Sequence, residues 1–158
     1  MSKPKLILMV GNIGSGKSTY VKNFVKEGYV VISKDDIRYM IGAGSYIFNP
    51  DYEEAIHEAA MELFWEFLEK GVNIVIDETN MDVATRKIYL SLAYSSKYTT
   101  EAIVMPKLSM AESVKRRLGA NHGNASKEVW EEVYTRKEAA FEMPTLEEGF
   151  DSVITMQL

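Results

Sequence analysis

Apolar residues follow two rhythms along this chain. Short unbroken runs such as Leu6 to Val10 and Ile74 to Ile76 alternate with longer stretches in which apolar residues return every three or four positions. The short runs suit strands buried on both faces of a parallel sheet, and the longer ones suit amphipathic helices. This reading predicts strands over 5–10, 29–32, 73–76, 100–105 and 152–156. It places helices over 17–27, 33–41, 50–70, 82–94, 109–118 and 126–141. Their ends carry chemical markers: Gly28 and Gly71 as stops, Ser33, Asp82 and Ser126 as caps, Asn49-Pro50 as cap plus first-turn proline, and Ser109 with Glu112 as a capping box. The longest helix, about 20 residues and roughly 30 Å, carries Tyr52, Ala55, Ile56, Ala59, Ala60, Leu63, Phe64, Phe67 and Leu68 at helical spacing. Strands alternating with helices define an α/β architecture: a doubly wound parallel five-stranded sheet with helices on both faces.

The chain has 158 residues, which suits one domain rather than two fused activities. It has no cysteine, which excludes disulfides, a thiol nucleophile and thiolate metal sites, and suits a reducing cytosol. Only His57 and His122 are available as imidazole ligands. The net charge of -5 argues against wrapping of long duplex DNA, so any nucleic acid contact is expected to be local. Five apolar residues at 6–10 are too few for a signal peptide, and no run approaches a membrane span. The expectation is a soluble, cytoplasmic protein without membrane contact.

The strongest chemical signal is G-N-I-G-S-G-K-S at 11–18, which fits G-x-x-x-x-G-K-[ST] between a strand and a helix. Gly11, Asn12, Ile13, Gly14, Ser15, Gly16, Lys17, Ser18 and Thr19 are therefore candidate nucleotide contacts. Glycines let backbone N–H groups converge on an anion, Lys17 reaches the β- and γ-phosphates, and Ser18 offers a hydroxyl to Mg²⁺. ATP and Mg²⁺ are thus the expected cofactors. There is no Asn-Lys-x-Asp pattern for guanine, and the chain is short for most motors or AAA-type machines.

What receives the phosphoryl group depends on the other strand ends. Asp35 and Arg38 follow the second strand and share a helical face. The carboxylate can take the proton of an attacking hydroxyl while the guanidinium binds an acceptor phosphate; the alternative is a helix-end acid paired with a surface arginine. Asp77 ends the third strand, where an acid can hold the Mg²⁺ shell, but a one-residue bend would select Glu78 instead. Thr79 and Asn80 either order that turn or touch the acceptor. Lys115, Arg116 and Arg117 form the only compact basic cluster in the sequence, beside the glycine-containing segment 119–125. They suit a lid over ATP or, alternatively, a solvated face paired with Glu112. Tyr46, Ile47 and Phe48 suit either base stacking or core sealing, Trp65 and Trp130 read as packing, and His57 reads as a surface residue.

The phosphate loop, S-K-D-D-I-R at 33–38, I-V-I-D-E-T-N at 74–80 and the arginines before the lid together resemble the phage-type polynucleotide 5′-hydroxyl kinase family. The resemblance spans nearly the whole chain and implies a P-loop kinase fold over residues 1–158, with a small helical lid around 109–126. It implies Mg²⁺-dependent transfer of the ATP γ-phosphate to a 5′-hydroxyl end of DNA or RNA. By that resemblance Asp35 is the general base, Lys17 and Arg116 serve catalysis, and Arg116 and Arg117 lie over ATP. Arg38, Thr79 and Asn80 would contact the strand end, and Ser18 and Asp77 the metal. The chain departs from the family pattern in three ways. The family's acid can directly precede Thr-Asn, which favours Glu78; a second lid arginine is missing from Ala120-Asn121-His122; and no D-x-D-x-T phosphatase signature occurs, so no 3′-phosphatase activity is expected. The same scaffold serves kinases of hydroxymethylated bases, nucleosides and other small hydroxyls, and a noncatalytic ATP-binding module is the reading from another class. The sequence leaves oligomeric state open.

Overall fold

A computed structural model describes residues 2–120 and 122–157. Five parallel strands, β1 (Lys5–Val10), β2 (Val30–Ile32), β3 (Ile74–Ile76), β4 (Thr99–Val104) and β5 (Ser152–Thr155), pair in the order β2-β3-β1-β4-β5. Among the described residues six α-helices connect or flank them: α1 (Lys17–Val25), α2 (Lys34–Ile41), α3 (Glu53–Lys70), α4 (Val83–Ser95), α5 (Met110–Gly119) and α6 (Lys127–Ala140). This is the P-loop kinase fold, with α5 and α6 as its small helical region. The strand order sets β2, β3 and β1 side by side, so the turns leaving their C-terminal ends meet at one edge, where open α/β sheets bind ligands.

Strand alternation divides the core. Leu6, Leu8, Val10, Ile74 and Ile76 pack on Ile56, Phe64, Tyr89 and Leu90 of α3 and α4, while Ile7, Met9, Val75 and Ile103 pack on Val21 of α1. Full burial of each such side chain stabilises the fold by roughly 1.5–3 kcal/mol relative to exposure. A third cluster of Ile13, Val114, Trp130 and Tyr134 fastens α5 and α6 to the phosphate loop. It sets the height of the helical region above the sheet edge.

β1 has the expected bounds, and where other element ends differ from expectation they do so by one to three residues, for local reasons. The first helix stops at Val25, and the chain leaves it through Gly28 at φ +91°. Residues 50–52 form a separate 3-10 turn, because the Asn49 side chain accepts from Asp51 N, and α3 starts at Glu53. Its buried face is only Ile56, Ala60, Phe64 and Leu68, narrower than its apolar content, and Leu63 and Trp65 remain 44% and 45% exposed. Trp65 is therefore not the packing residue its spacing suggested. Ser109 caps α5 as expected, but the Glu112 carboxylate turns to Arg116 at 3.0 Å, leaving the box half made.

One staple was invisible in the sequence. Arg86 is fully buried and donates to both carboxylate oxygens of Glu148 at 2.9 and 3.0 Å, to Asn80 O at 2.8 Å and to Glu142 O at 2.9 Å. It ties the turn after β3 to the chain between α6 and β5. Among the described residues no helix is long and apolar enough to cross a membrane.

Candidate active site

The phosphate loop leaves β1 and bends through Gly14 at φ +64° and Gly16 at φ +98°. At Gly14 the need for glycine is also steric, since a Cβ there would come within 2.3 Å of Ser113 O. Gly16 precedes α1 with no side-chain cap and no acid in the first turn, so the first-turn N–H groups stay open to an anion. Lys17 is buried, and its ammonium donates to Gly11 O at 2.8 Å, Asn12 O at 2.7 Å and Ser15 Oγ at 3.3 Å. Burial brings its pKa down to about 8, opposed by Asp77.

The Ser18 hydroxyl donates to Asp77 Oδ2 at 2.9 Å. Burial raises the Asp77 pKa, with the Ser18 hydrogen bond opposing. Glu78 points elsewhere: it accepts from Lys34 N at 2.7 Å and closes the start of α2, and burial pushes its pKa up to about 7. The geometry therefore pairs Asp77, not Glu78, with the loop serine. Among the described residues no group of three His, Cys, Asp or Glu side chains could hold a metal. One carboxylate beside one hydroxyl still fits Mg²⁺, which keeps several waters and takes its remaining oxygens from phosphates.

Asp35 lies in the first turn of α2, capped by Ser33. Its Oδ1 accepts from Arg38 Nη1 at 2.6 Å and its Oδ2 from Arg117 Nη1 at 3.0 Å. Burial alone would raise its pKa, but Arg117 and Arg38 together outweigh that and hold it below the ordinary carboxylate range. Arg38 also grips both carboxylate oxygens of Glu53. Arg117 is stacked on Trp130, with its guanidinium carbon 4.5 Å from the ring centroid, and has Tyr46 at 5.8 Å on another side. Its Nε is buried without a partner among the described residues.

His122 completes this wall. Arg117 can only donate, so at 3.2 Å His122 Nε2 accepts; the ring proton then sits on Nδ1, 2.8 Å from the Tyr39 hydroxyl. Burial, with help from Arg117, lowers the His122 pKa to about 4.

A single cavity of about 1110 Å³ brings together residues 13–19, Asp35, Arg38, residues 77–80, Arg116, Arg117 and His122. Gly11 and Asn12 face instead a smaller cavity of about 220 Å³ behind the loop. Asn12 Nδ2 is spent on Tyr134 O and Glu138 Oε1 of α6, both at 3.0 Å. Asn80 donates to Met9 O at 2.8 Å and is nearly fully buried, while Thr79 O accepts from Gly11 N at 3.0 Å. Arg116 reaches the cavity rim, but its side chain is 48% exposed and pairs with Glu112. Arg117, one residue on, is the arginine turned inward. Asn121, part of the expected lid gap, lies outside the described residues. Phe48 is 62% exposed at the cavity mouth. Glu53 and the Trp130 stack were missed, since separations of 15 residues from Arg38 and 13 from Arg117 carry no local signal.

Fold and site define a P-loop kinase domain. Residues 6–144 match the family described as AAA domain, and the chain belongs to that family. It is also similar to a protein of Acanthamoeba polyphaga mimivirus described as a bifunctional polynucleotide phosphatase/kinase, at 31% identity over 98% of this chain and 33% of the relative. The bifunctional polynucleotide phosphatase/kinase of Schizosaccharomyces pombe is 26% identical over 94% of this chain and 32% of its own length. A chain of the Pnkp1/Rnl/Hen1 RNA repair complex superposes with a TM-score of 0.69 at 28% identity, covering 96% of this chain and 47% of that one. The chain thus spans about a third of the length of the two named enzymes. It is a P-loop kinase domain related to polynucleotide kinase-like proteins.

Proposed function

We propose that this chain transfers the γ-phosphoryl group of ATP to the 5′-hydroxyl of a DNA or RNA strand. The observation that carries this reading is the position of Asp35 and Arg38 in one cavity with Lys17, Ser18 and Asp77. A noncatalytic binding module would have no use for a carboxylate held there.

Lys17 and the open N–H groups of α1 bind the β- and γ-phosphates, and Ser18 with Asp77 would hold the metal. Mg²⁺, when bound, supplies neutralisation of charge on the phosphate oxygens. Arg38, oriented by Glu53, holds the phosphate next to the acceptor hydroxyl. Asp35 takes the hydroxyl proton as the oxygen forms its bond to the γ-phosphorus and the bond to the bridging β,γ-oxygen breaks, with ADP as leaving group. Arg117 leaves Asp35 Oδ2 for the transferring phosphoryl group, which frees the carboxylate to act as base and sets a cation on the developing charge. Arg116, paired with Glu112 at the rim, contributes less. The same reading treats residues 1–158 as one kinase domain whose lid lies around 109–126.

The test is transfer of labelled γ-phosphate, with Mg²⁺, to a 5′-hydroxyl oligonucleotide, to end-blocked hydroxymethylated DNA and to free nucleosides. Label on the oligonucleotide end is the expected result. Label confined to either of the other acceptors would overturn the assigned substrate.

A further inference from the structure

Sequence spacing gives one basic cluster, at 115–117, but the fold assembles another. Lys34 at the start of α2 and Arg136 and Lys137 near the end of α6 line the same cavity as the phosphate loop. They are joined on its wall by Thr85 and Tyr89 of α4 and by Val129 and Val133 of α6. Val129, Val133, Arg136 and Lys137 follow helical spacing, so one face of α6 offers the cavity an apolar stretch followed by two cations.

These cations lack an ion-pair partner. Arg38, Arg86, Arg116 and Arg117 each sit within ion-pair distance of a carboxylate, whereas Lys34, Arg136 and Lys137 have none among the described residues. Lys137 is half-buried. Burial lowers its pKa, Arg136 and Lys34 lower it further, and Glu78 and Asp82 oppose them, so Lys137 feels the fields of both other cations. A chain with a net charge of -5 thus keeps three unpaired cations on one cavity wall. Repulsion among them is relieved by a ligand that brings several negative charges in a row.

We propose that Lys34, Arg136 and Lys137 form a track for the backbone of a single-stranded polynucleotide, gripping phosphodiesters inward from the reacting end. Resting on the kinase reading above, it extends that reading: Arg38 holds the phosphate beside the acceptor hydroxyl, and the track takes those that follow. Val129 and Val133 give the intervening sugars and bases an apolar surface. Recognition through the backbone makes the acceptor preference one of strand length rather than base sequence.

The test compares the wild type with Arg136→Gln/Lys137→Gln, and with Lys127→Ala as a control for charge loss at the other end of α6. Acceptor KM is measured for a nucleoside 3′-monophosphate and for oligonucleotides of two, four and eight residues. Binding of a labelled eight-residue strand is followed separately by anisotropy against salt. In the wild type, KM is expected to fall as the strand lengthens. The double variant should lose about tenfold or more of that gain, and its salt slope should shrink by about 1.4, at roughly 0.7 for each phosphate no longer neutralised. Its KM for ATP and for the monophosphate should stay unchanged, which shows that it is folded. A phosphorylated strand whose KM ignores the double substitution would overturn the track and leave the kinase reading standing. A strand bound through these residues but never phosphorylated would overturn the kinase reading and leave the track. Equal weakening of all acceptors, or an equal effect from Lys127→Ala, also overturns the track.

Discussion

Oδ2 of Asp35 and Nη1 of Arg117 stand 3.0 Å apart although 82 residues separate them. The contact joins the first turn of α2 to the last turn of α5, and it keeps the proposed base ionised but weakly basic. Arg117→Ala removes the stronger of the two cations that oppose burial, so the Asp35 pKa rises, with Arg38 still holding part of the shift. The acid limb of the kcat/KM profile is expected to move to higher pH, with a lower plateau. A limb that stays in place would mean another group controls it.

Asp35→Asn keeps the size of the side chain and removes the proton acceptor, and its one amide oxygen can accept from only one of Arg38 and Arg117. Turnover should fall by about 10²- to 10⁴-fold, the usual share of general base catalysis. ATP affinity, measured by nucleotide titration, should be nearly unchanged, because Lys17 and the loop are untouched.

Glu53 is not among the residues that line the cavity; it grips Arg38 from the start of α3. Glu53→Ala should raise acceptor KM by about tenfold to a hundredfold, matching the roughly 1.5–3 kcal/mol of hydrogen bonds to charged groups. The KM for ATP should not follow. Partial rescue by Glu53→Gln would support positioning over bulk packing.

His122 is expected to titrate near pH 4 in a proton NMR series that contains only one other histidine, His57. Its folded pKa lies below the ordinary 6.5, so the unfolded chain takes up the proton first. Its contribution to stability is therefore present above pH 6.5 and lost as pH falls through about 4. Urea unfolding of His122→Gln should show a shallower loss of stability between those limits than the wild type does.

Arg86→Met should destabilise the fold by about 3–5 kcal/mol, because it leaves the Glu148 carboxylate buried without its partner. Chemical denaturation measures this directly. Adding Glu148→Leu to the same chain should recover much of the loss, since the stranded charge, rather than the missing packing, carries most of the cost.

Much of the architecture was legible because strands buried on both faces are short and uniformly apolar, and because Ser33, Asn49, Asp82, Ser109 and Ser126 all cap as their types suggest. The phosphate loop was legible because its spacing encodes a backbone shape. Side-chain choices among neighbours were not. Asp77 against Glu78 turns on which way a strand end faces, and Arg116 against Arg117 on one step of about 100° around a helix. Glu53, Arg86 and the Lys34, Arg136 and Lys137 wall depend on helix packing, which leaves no mark at fixed spacing. The width of the apolar stripe on α3 misled in the other direction, because Leu63 and Trp65 share the helix but not its buried face.

The ammonium of Lys17 rests on three oxygens of its own loop. An anion arriving there does not simply add to the site; it must displace internal partners that already satisfy the charge. A lone phosphate offers few simultaneous contacts in return, whereas a polyphosphate spans the lysine and the first turn of α1 together. On the kinase reading, selection at this loop would work by counting: each further phosphate in the donor returns more contacts for those that Lys17 gives up.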